Sequence, residues 1–208
     1  AMATKQVTVK DIAKRLRLHY TTVSKALRDH PDISSATKHR VVSLAEELDY
    51  HPNSIAKSLK SQATSTLGVI VPSIRNDFFS AVISGIEEVA YGREFNTVVC
   101  QSNESSEREA IHLDTLISSR VAGVLVSVAQ TTTSGARFRA LQRQGIPLVF
   151  FDRVCADVEA GKVVVDDYGG ALKAVRHLID SGYRRIAHAA GPENTSVGRE
   201  RFRGYVSA

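Results

Sequence analysis

The chain has 208 residues, enough for one ordinary domain and a smaller one, and its 43% hydrophobic and 24% charged residues exclude disorder throughout. No apolar run approaches the ~18 residues of a membrane span, and no charged-then-apolar start resembles a secretory signal, so a cytoplasmic protein is expected. The net charge of +5 is concentrated: residues 1–66 hold 11 Lys or Arg against 6 Asp or Glu, whereas residues 67–208 hold 16 against 16. A basic head joined to a neutral remainder is the electrostatic footprint of a polyanion-binding segment attached to a domain that binds something else.

Ala1-Met2-Ala3 reads as a cloning remnant. The first helix is expected over 9–16: Thr8 and Asp11 have the spacing of a capping box, and Val9, Ile12, Ala13 and Leu16 recur on one face. A break at Arg17 to His19 precedes a second helix from about Tyr20 to Arg28, with Val23, Ala26 and Leu27 inward, ended by Asp29-His30-Pro31-Asp32. Ser34 or Ser35 caps a third, in which Val41, Leu44, Ala45 and Leu48 form the inward stripe. Pro52 suits the start of a short helix to Lys60, followed by the polar linker Ser61 to Thr66.

From Leu67 the pattern changes to short apolar runs alternating with helical periods, as in a parallel α/β sheet. Strands are expected at Leu67 to Val71, Thr97 to Cys100, Val121 to Val126, Pro147 to Phe151, Lys162 to Val165 and Arg185 to Ala189. Helices are expected at about 77–91, 105–119, 133–144 and 168–181, with another beginning near Ser196. Cys100 and Cys155, far apart and each beside a strand, read as buried reduced thiols.

Two helices separated by a short turn, the second polar outside, make a helix-turn-helix, whose second helix enters the DNA major groove. Tyr20, Thr21, Ser24, Lys25 and Arg28 fall opposite Val23, Ala26 and Leu27. Lys25 suits guanine O6 and N7 or a phosphate, Tyr20 and Thr21 suit base edges or a thymine methyl, and Thr22 and Ser24 suit the backbone. From the pattern alone, a solvated face on an ordinary three-helix bundle is the competing reading. In 52–60, Ile55, Ala56 and Leu59 share one face flanked by Lys57 and Lys60. A helix this short forms only with a partner, and a leucine between lysines is what a minor-groove wedge needs; a flexible linker is the bland alternative.

The run Val7-Thr8-Val9-Lys10-Asp11-Ile12-Ala13, then Thr22-Val23-Ser24-Lys25, Tyr50-His51-Pro52-Asn53-Ser54-Ile55-Ala56-Lys57-Ser58-Leu59 and Leu67-Gly68-Val69-Ile70-Val71-Pro72 together resemble the lactose/galactose repressor (LacI/GalR) family. So do Asn76-Asp77-Phe78-Phe79, Phe151-Asp152-Arg153 and Arg201-Phe202-Arg203-Gly204-Tyr205, and the resemblance covers nearly the whole chain in order.

The resemblance implies a cytoplasmic, nucleoid-associated regulator of transcription, a repressor, that forms a homodimer on double-stranded operator DNA and answers to a small-molecule effector such as a sugar or nucleobase. The DNA-binding positions it implies are Thr8, His19, Tyr20, Thr21, Thr22, Ser24, Lys25, Arg28, Asn53, Ala56, Leu59 and Lys60, with Leu59 of paired hinge helices kinking the operator. The effector positions are Asn76, Phe79, Asp152 and Arg201. No cofactor, metal or catalytic residue is implied.

The implied architecture is α/β: a three-helix helix-turn-helix head at 5–50, a hinge helix and linker at 51–66, and a periplasmic-binding-protein-like parallel-sheet domain. Its N-terminal lobe covers 67–161, and 162–208 begin a second lobe that is expected to be truncated. Three positions depart from the family: Arg17 stands where a turn glycine is usual, His19 where a serine caps the recognition helix, and Arg28 where asparagine is common.

The alternative, a solute-binding or enzymatic α/β domain with an accessory nucleic-acid-binding head, finds little in the sequence. Pro72-Ser73-Ile74-Arg75-Asn76 stands where a dinucleotide-binding G-x-G-x-x-G would follow the first strand, and Gly161-Lys162-Val163 lacks the rest of a P-loop. No G-x-S-x-G or H-E-x-x-H occurs, and the seven histidines lack metal-ligand spacing.

Overall fold

The computed structural model describes residues 7–50 and 64–208. The chain divides into two compact units, residues 1–56 and 57–208. Asn53, Ala56, Leu59 and Lys60, and with them the expected hinge helix, lie outside the described residues.

In the first unit α1 (Val9–Leu16), α2 (Tyr20–Ala26) and α3 (Ser35–Glu47) enclose a small core. Thr8 and Asp11 form the expected capping box, and the Ser34 hydroxyl accepts from the Thr37 N–H. One fully buried branched residue comes from each helix, Ile12, Val23 and Val41, with Ala13, Ala26 and Ala45 allowing close approach. Burying each branched side chain is worth about 1.5–3 kcal/mol, which matters in a unit this small. The second helix is shorter than its periodicity predicts, because the chain leaves α2 at Leu27 and passes through a left-handed Asp29 at φ 54°.

The second unit is a parallel sheet in the order β2-β1-β3-β4-β5. Its strands are β1 (Thr66–Val71), β2 (Asn96–Gln101), β3 (Gly123–Val126), β4 (Leu148–Phe151) and β5 (Gly161–Val163). Between them run α4 (Asp77–Tyr91), α5 (Ser106–Ser118) and α6 (Ala136–Arg143), followed by α7 (Asp167–Asp180) and α8 (Ser196–Ser207).

Strand periodicity divides the core in two. Ile70 and Phe150 face one side with Leu113, Leu116, Val124 and Phe138, while Val69, Val71 and Phe151 face the other with Phe79. Gly68 shares the side of Ile70, where a Cβ would come within 2.5 Å of Leu116 Cδ1, so a larger residue would require the buried Leu116 side chain to shift.

The strand order reverses between β1 and β3, because the chain moves outward to β2 and returns. Parallel sheets bind ligands in the crevice such a reversal opens at the carboxyl ends of the strands.

One expected strand is absent: 185–189 carries no regular secondary structure. A strand needs a ladder partner for its N–H and C=O groups, and among the described residues none pairs with this run. It is tied instead to α8, where the Tyr205 hydroxyl donates to Ile186 O at 2.9 Å and the Tyr205 ring stacks on His188 at 4.9 Å. Helices α7 and α8 pack closely at Gly204, where a Cβ would lie 2.4 Å from Tyr168 O.

Candidate nucleic-acid interface and effector site

Helix α1 stops because Arg17 takes the left-handed conformation, φ 52°, and its N–H bonds back to Ala13 O and Lys14 O. An arginine reaches this conformation at a cost that glycine avoids. Two residues on, His19 caps α2: its Nδ1 accepts from the Thr21 N–H at 3.5 Å and lies 2.8 Å from Thr21 Oγ1. Imidazole thus replaces the hydroxyl that usually fills this position, and its ring sits 4.5 Å from that of Tyr20.

With Val23 and Ala26 buried, Tyr20, Thr21, Lys25 and Arg28 are exposed, and Thr22 and Ser24 are partly so. The six polar positions expected on the second helix are therefore outside the core of the unit. Thr8 is exposed, but its hydroxyl is engaged with Asp11, leaving its surface rather than a free donor. Sequence reasoning missed Asp32, read only as part of a helix stop. Its Oδ2 accepts from Lys25 Nζ at 2.8 Å, so the lysine of α2 is held by the loop that follows the helix.

In the second unit, the residues after β3 and β4 meet at the carboxyl ends of the strands. Asp152, left-handed at φ 57°, accepts from the Ser127 hydroxyl at 3.3 Å and lies 3.8 Å from Arg153 Nε. Burial raises its pKa, opposed by Arg153, Ser127 and Arg201, while Asp167 adds to the rise. Arg201 Nε donates to Asp167 Oδ1 at 2.7 Å. Asp152 and Arg201 therefore share one electrostatic cluster, together with Asp167 and Ser127, which the sequence reading did not include. Ser127 could have been found from its place directly after a strand, whereas Asp167 announces only a helix start.

The other two candidate effector residues have local duties. Asn76 Oδ1 caps α4 by accepting from the Phe78 N–H at 2.9 Å. Phe79 is only 4% exposed, its ring edge-on to Phe151 at 6.4 Å, so it is a wall beneath the strand end that carries Asp152 rather than an open stacking surface. The adjacent Phe78 is the exposed ring.

A cavity of about 340 Å³ lies among Ala129, Thr132, Arg153, Asn194, Ser196 and Arg199, and none of the four candidate residues lines it. Arg199 faces this cavity and Arg201 faces Asp167 because positions two apart point to opposite sides of a helix.

The loop along its edge is clamped by carboxylates. Glu109 accepts from the Ala129 N–H and the Thr132 hydroxyl, and Glu104 accepts from the Gln130 N–H and from Arg153. Two bonds tie this region to the start of α8: Asn194 Nδ2 donates to Gln130 O, and Val154 N–H donates to Ser196 Oγ. Among the described residues no group of His, Cys, Asp and Glu is arranged to hold a metal.

Residues 64–208 match the family model described as periplasmic binding proteins and sugar binding domain of LacI family, and residues 8–53 match bacterial regulatory proteins, lacI family. The chain belongs to the LacI family. It is 35% identical over 203 residues to the HTH-type transcriptional regulator GalR of Salmonella typhimurium strain LT2, covering 97% of this chain and 58% of that protein.

A LacI family transcriptional regulator from Silicibacter pomeroyi superposes with a TM-score of 0.77 at 29% identity, over 97% of this chain and 60% of that one. The lac repressor dimer bound to operator and the anti-inducer ONPF shares the fold, with a TM-score of 0.80 at 24% identity over 98% of this chain and 61% of that one. The chain thus spans about three fifths of the length of the relatives it matches. Within the LacI family frame, the departures at Arg17 and His19 are accommodated by the left-handed turn and the imidazole cap.

Proposed function

We propose that this chain is a sequence-specific DNA-binding regulator of transcription, acting as a repressor whose operator affinity is set by a small-molecule effector such as a sugar or nucleobase. The observation that carries the reading is the outward face of α2, where Tyr20, Thr21 and Lys25 are presented by a buried Val23 and Ala26 in a basic unit, with Arg28 exposed in the turn that follows the helix. Thr8, His19, Thr22 and Ser24 position that face against the phosphate backbone. Residues 5–50 form the DNA-binding domain and 51–66 the hinge, through which Asn53, Ala56, Leu59 and Lys60 meet the minor groove. Residues 67–161 and 162–208 belong to the two lobes that take the effector.

Asp152 and Arg201 are the effector contacts best supported by position, a half-buried acceptor and an exposed guanidinium at the carboxyl ends of parallel strands. Phe79 and Asn76 shape the wall and the helix start beside them. The regulator works on the nucleoid as a homodimer, its two recognition helices matching a pseudo-palindromic operator.

The test is selection from a pool of random duplexes with the purified chain, followed by competition against bulk genomic DNA with and without candidate metabolites. An enriched, roughly two-fold symmetric sequence is the expected result. Absence of any preferred sequence under all conditions would overturn the reading.

A further inference from the structure

We propose that Asp32 is a specificity-determining residue of the DNA interface, holding the Lys25 ammonium so that it reads a base edge rather than clinging to phosphate. The inference rests on the DNA-binding reading above and names a partner residue that reading does not require.

Lys25 is the only cation within α2, and its Nζ lies 2.8 Å from Asp32 Oδ2, with side chains 48% and 60% exposed respectively. The pair spans seven residues, so it depends on the path of the loop and not on helical spacing. The loop is itself constrained. The Asp32 N–H donates to His30 Nδ1 at 3.3 Å, Asp29 is left-handed, and Lys38 is tied to Asp29 Oδ1 at 2.7 Å. The hydrogen bond from Lys25, then the nearby His30 and the charge of Lys25, hold the Asp32 carboxyl below its ordinary range, so it is ionised wherever the protein works.

An ammonium has three donors and one charge. Asp32 takes one donor and, although solvent screens so exposed a pair, offsets part of the charge, which reduces what a phosphate would gain from Lys25. Two donors remain, matching the two acceptors, O6 and N7, that guanine presents in the major groove. Asp32 thereby weakens the sequence-blind part of binding while leaving the base-reading part intact.

The experiment uses the whole 208-residue chain, the duplex it enriches from a random pool, and the unselected pool. Asp32→Asn is expected to tighten binding to the unselected pool by about twofold to fivefold and to steepen its salt dependence by about one counterion, while the enriched duplex gains less or loses affinity. The specificity ratio therefore falls. In a Lys25→Ala background the same substitution should leave the ratio unchanged, and Asp32→Glu, which keeps the charge, should behave like the wild type on the unselected pool. Equal tightening on both duplexes, or an undiminished effect without Lys25, would overturn the role of Asp32 while leaving DNA recognition standing. If the wild type enriches nothing, the DNA-binding reading falls, and this inference with it.

Discussion

Glu109 is 2% exposed, yet it accepts two hydrogen bonds, from the Ala129 N–H and the Thr132 hydroxyl. Burial raises its pKa by more than those two bonds lower it, and the charge of Glu104 adds to the rise. An unfolded glutamate loses its proton near ~4.3, and the folded one loses it later, so between those values the folded state holds the extra proton. Stability should therefore decline as pH rises from about 4.3 through the raised folded value. Glu109→Gln should abolish that slope in urea unfolding curves taken across pH, at a cost of about 0.5–1.5 kcal/mol, because the amide oxygen keeps the Ala129 N–H while the Thr132 hydroxyl must turn to accept from the amide nitrogen. An unchanged slope would assign it to another group.

Asp157 shows the opposite sign. Arg139 foremost, then the Cys155 thiol and the Gly135 N–H, hold its carboxyl below the usual range, so whatever it contributes is present at neutral pH and is lost as acid protonates it. Cys155 itself is pushed up to about 12, first by burial and then by Asp157; it is buried as expected from its position beside a strand, whereas Cys100 is only partly buried.

At the scale of elements, α2, the proposed recognition helix, is short and depends on its ends. Its N-cap is an imidazole nitrogen acting as acceptor, so His19→Ala should lower the melting stability of the head by about 0.5–2 kcal/mol, while His19→Ser should retain most of it. Circular dichroism melts of the three proteins would decide this; equal melting of Ala and Ser variants would remove the cap from the account.

The hinge offers a second prediction at this scale, resting on sequence. If paired hinge segments wedge Leu59 into the operator, Leu59→Ala should reduce both specific affinity and DNA bending, as read by circular permutation gels. Unchanged bending would sink the wedge. Most helices were legible because their apolar residues repeat every 3.6 positions, and most strands because they are short apolar runs between helical periods. The run 185–189 reads as a strand for the same reason and is not one, because a short apolar run says nothing about whether a neighbour supplies the ladder.

Across the whole molecule, the net positive charge gathers in residues 1–66, while the charges of residues 67–208 balance. The edge strand β2 exposes Val98 and Val99, and the helix before it exposes Val89 and Tyr91, the last at 82%. Such apolar surface beside a sheet edge marks an association face, which the proposed homodimer would cover with a second copy of the chain. Tyr91→Asp combined with Val98→Asp should shift sedimentation toward a monomer and weaken operator binding together, since each recognition helix reads only a half-site. A dimer that persists with this double substitution would place the interface elsewhere. No described helix is long and apolar enough to cross a membrane.

By itself the sequence determined the family, the element order and the polar face of α2. These depend on local periodicity and on motifs whose residues are close along the chain, such as Thr8 with Asp11 or the continuous apolar run of β1. Only the tertiary structure decided that Lys25 is held by Asp32, that Phe79 is a wall, that Asp152 shares its field with Asp167 and Arg201, and that Glu109 clamps a loop twenty residues away. A charged or aromatic side chain carries no mark of its partner in the sequence. Which group it meets depends on where loops and strand ends arrive in space, and desolvation follows from that meeting.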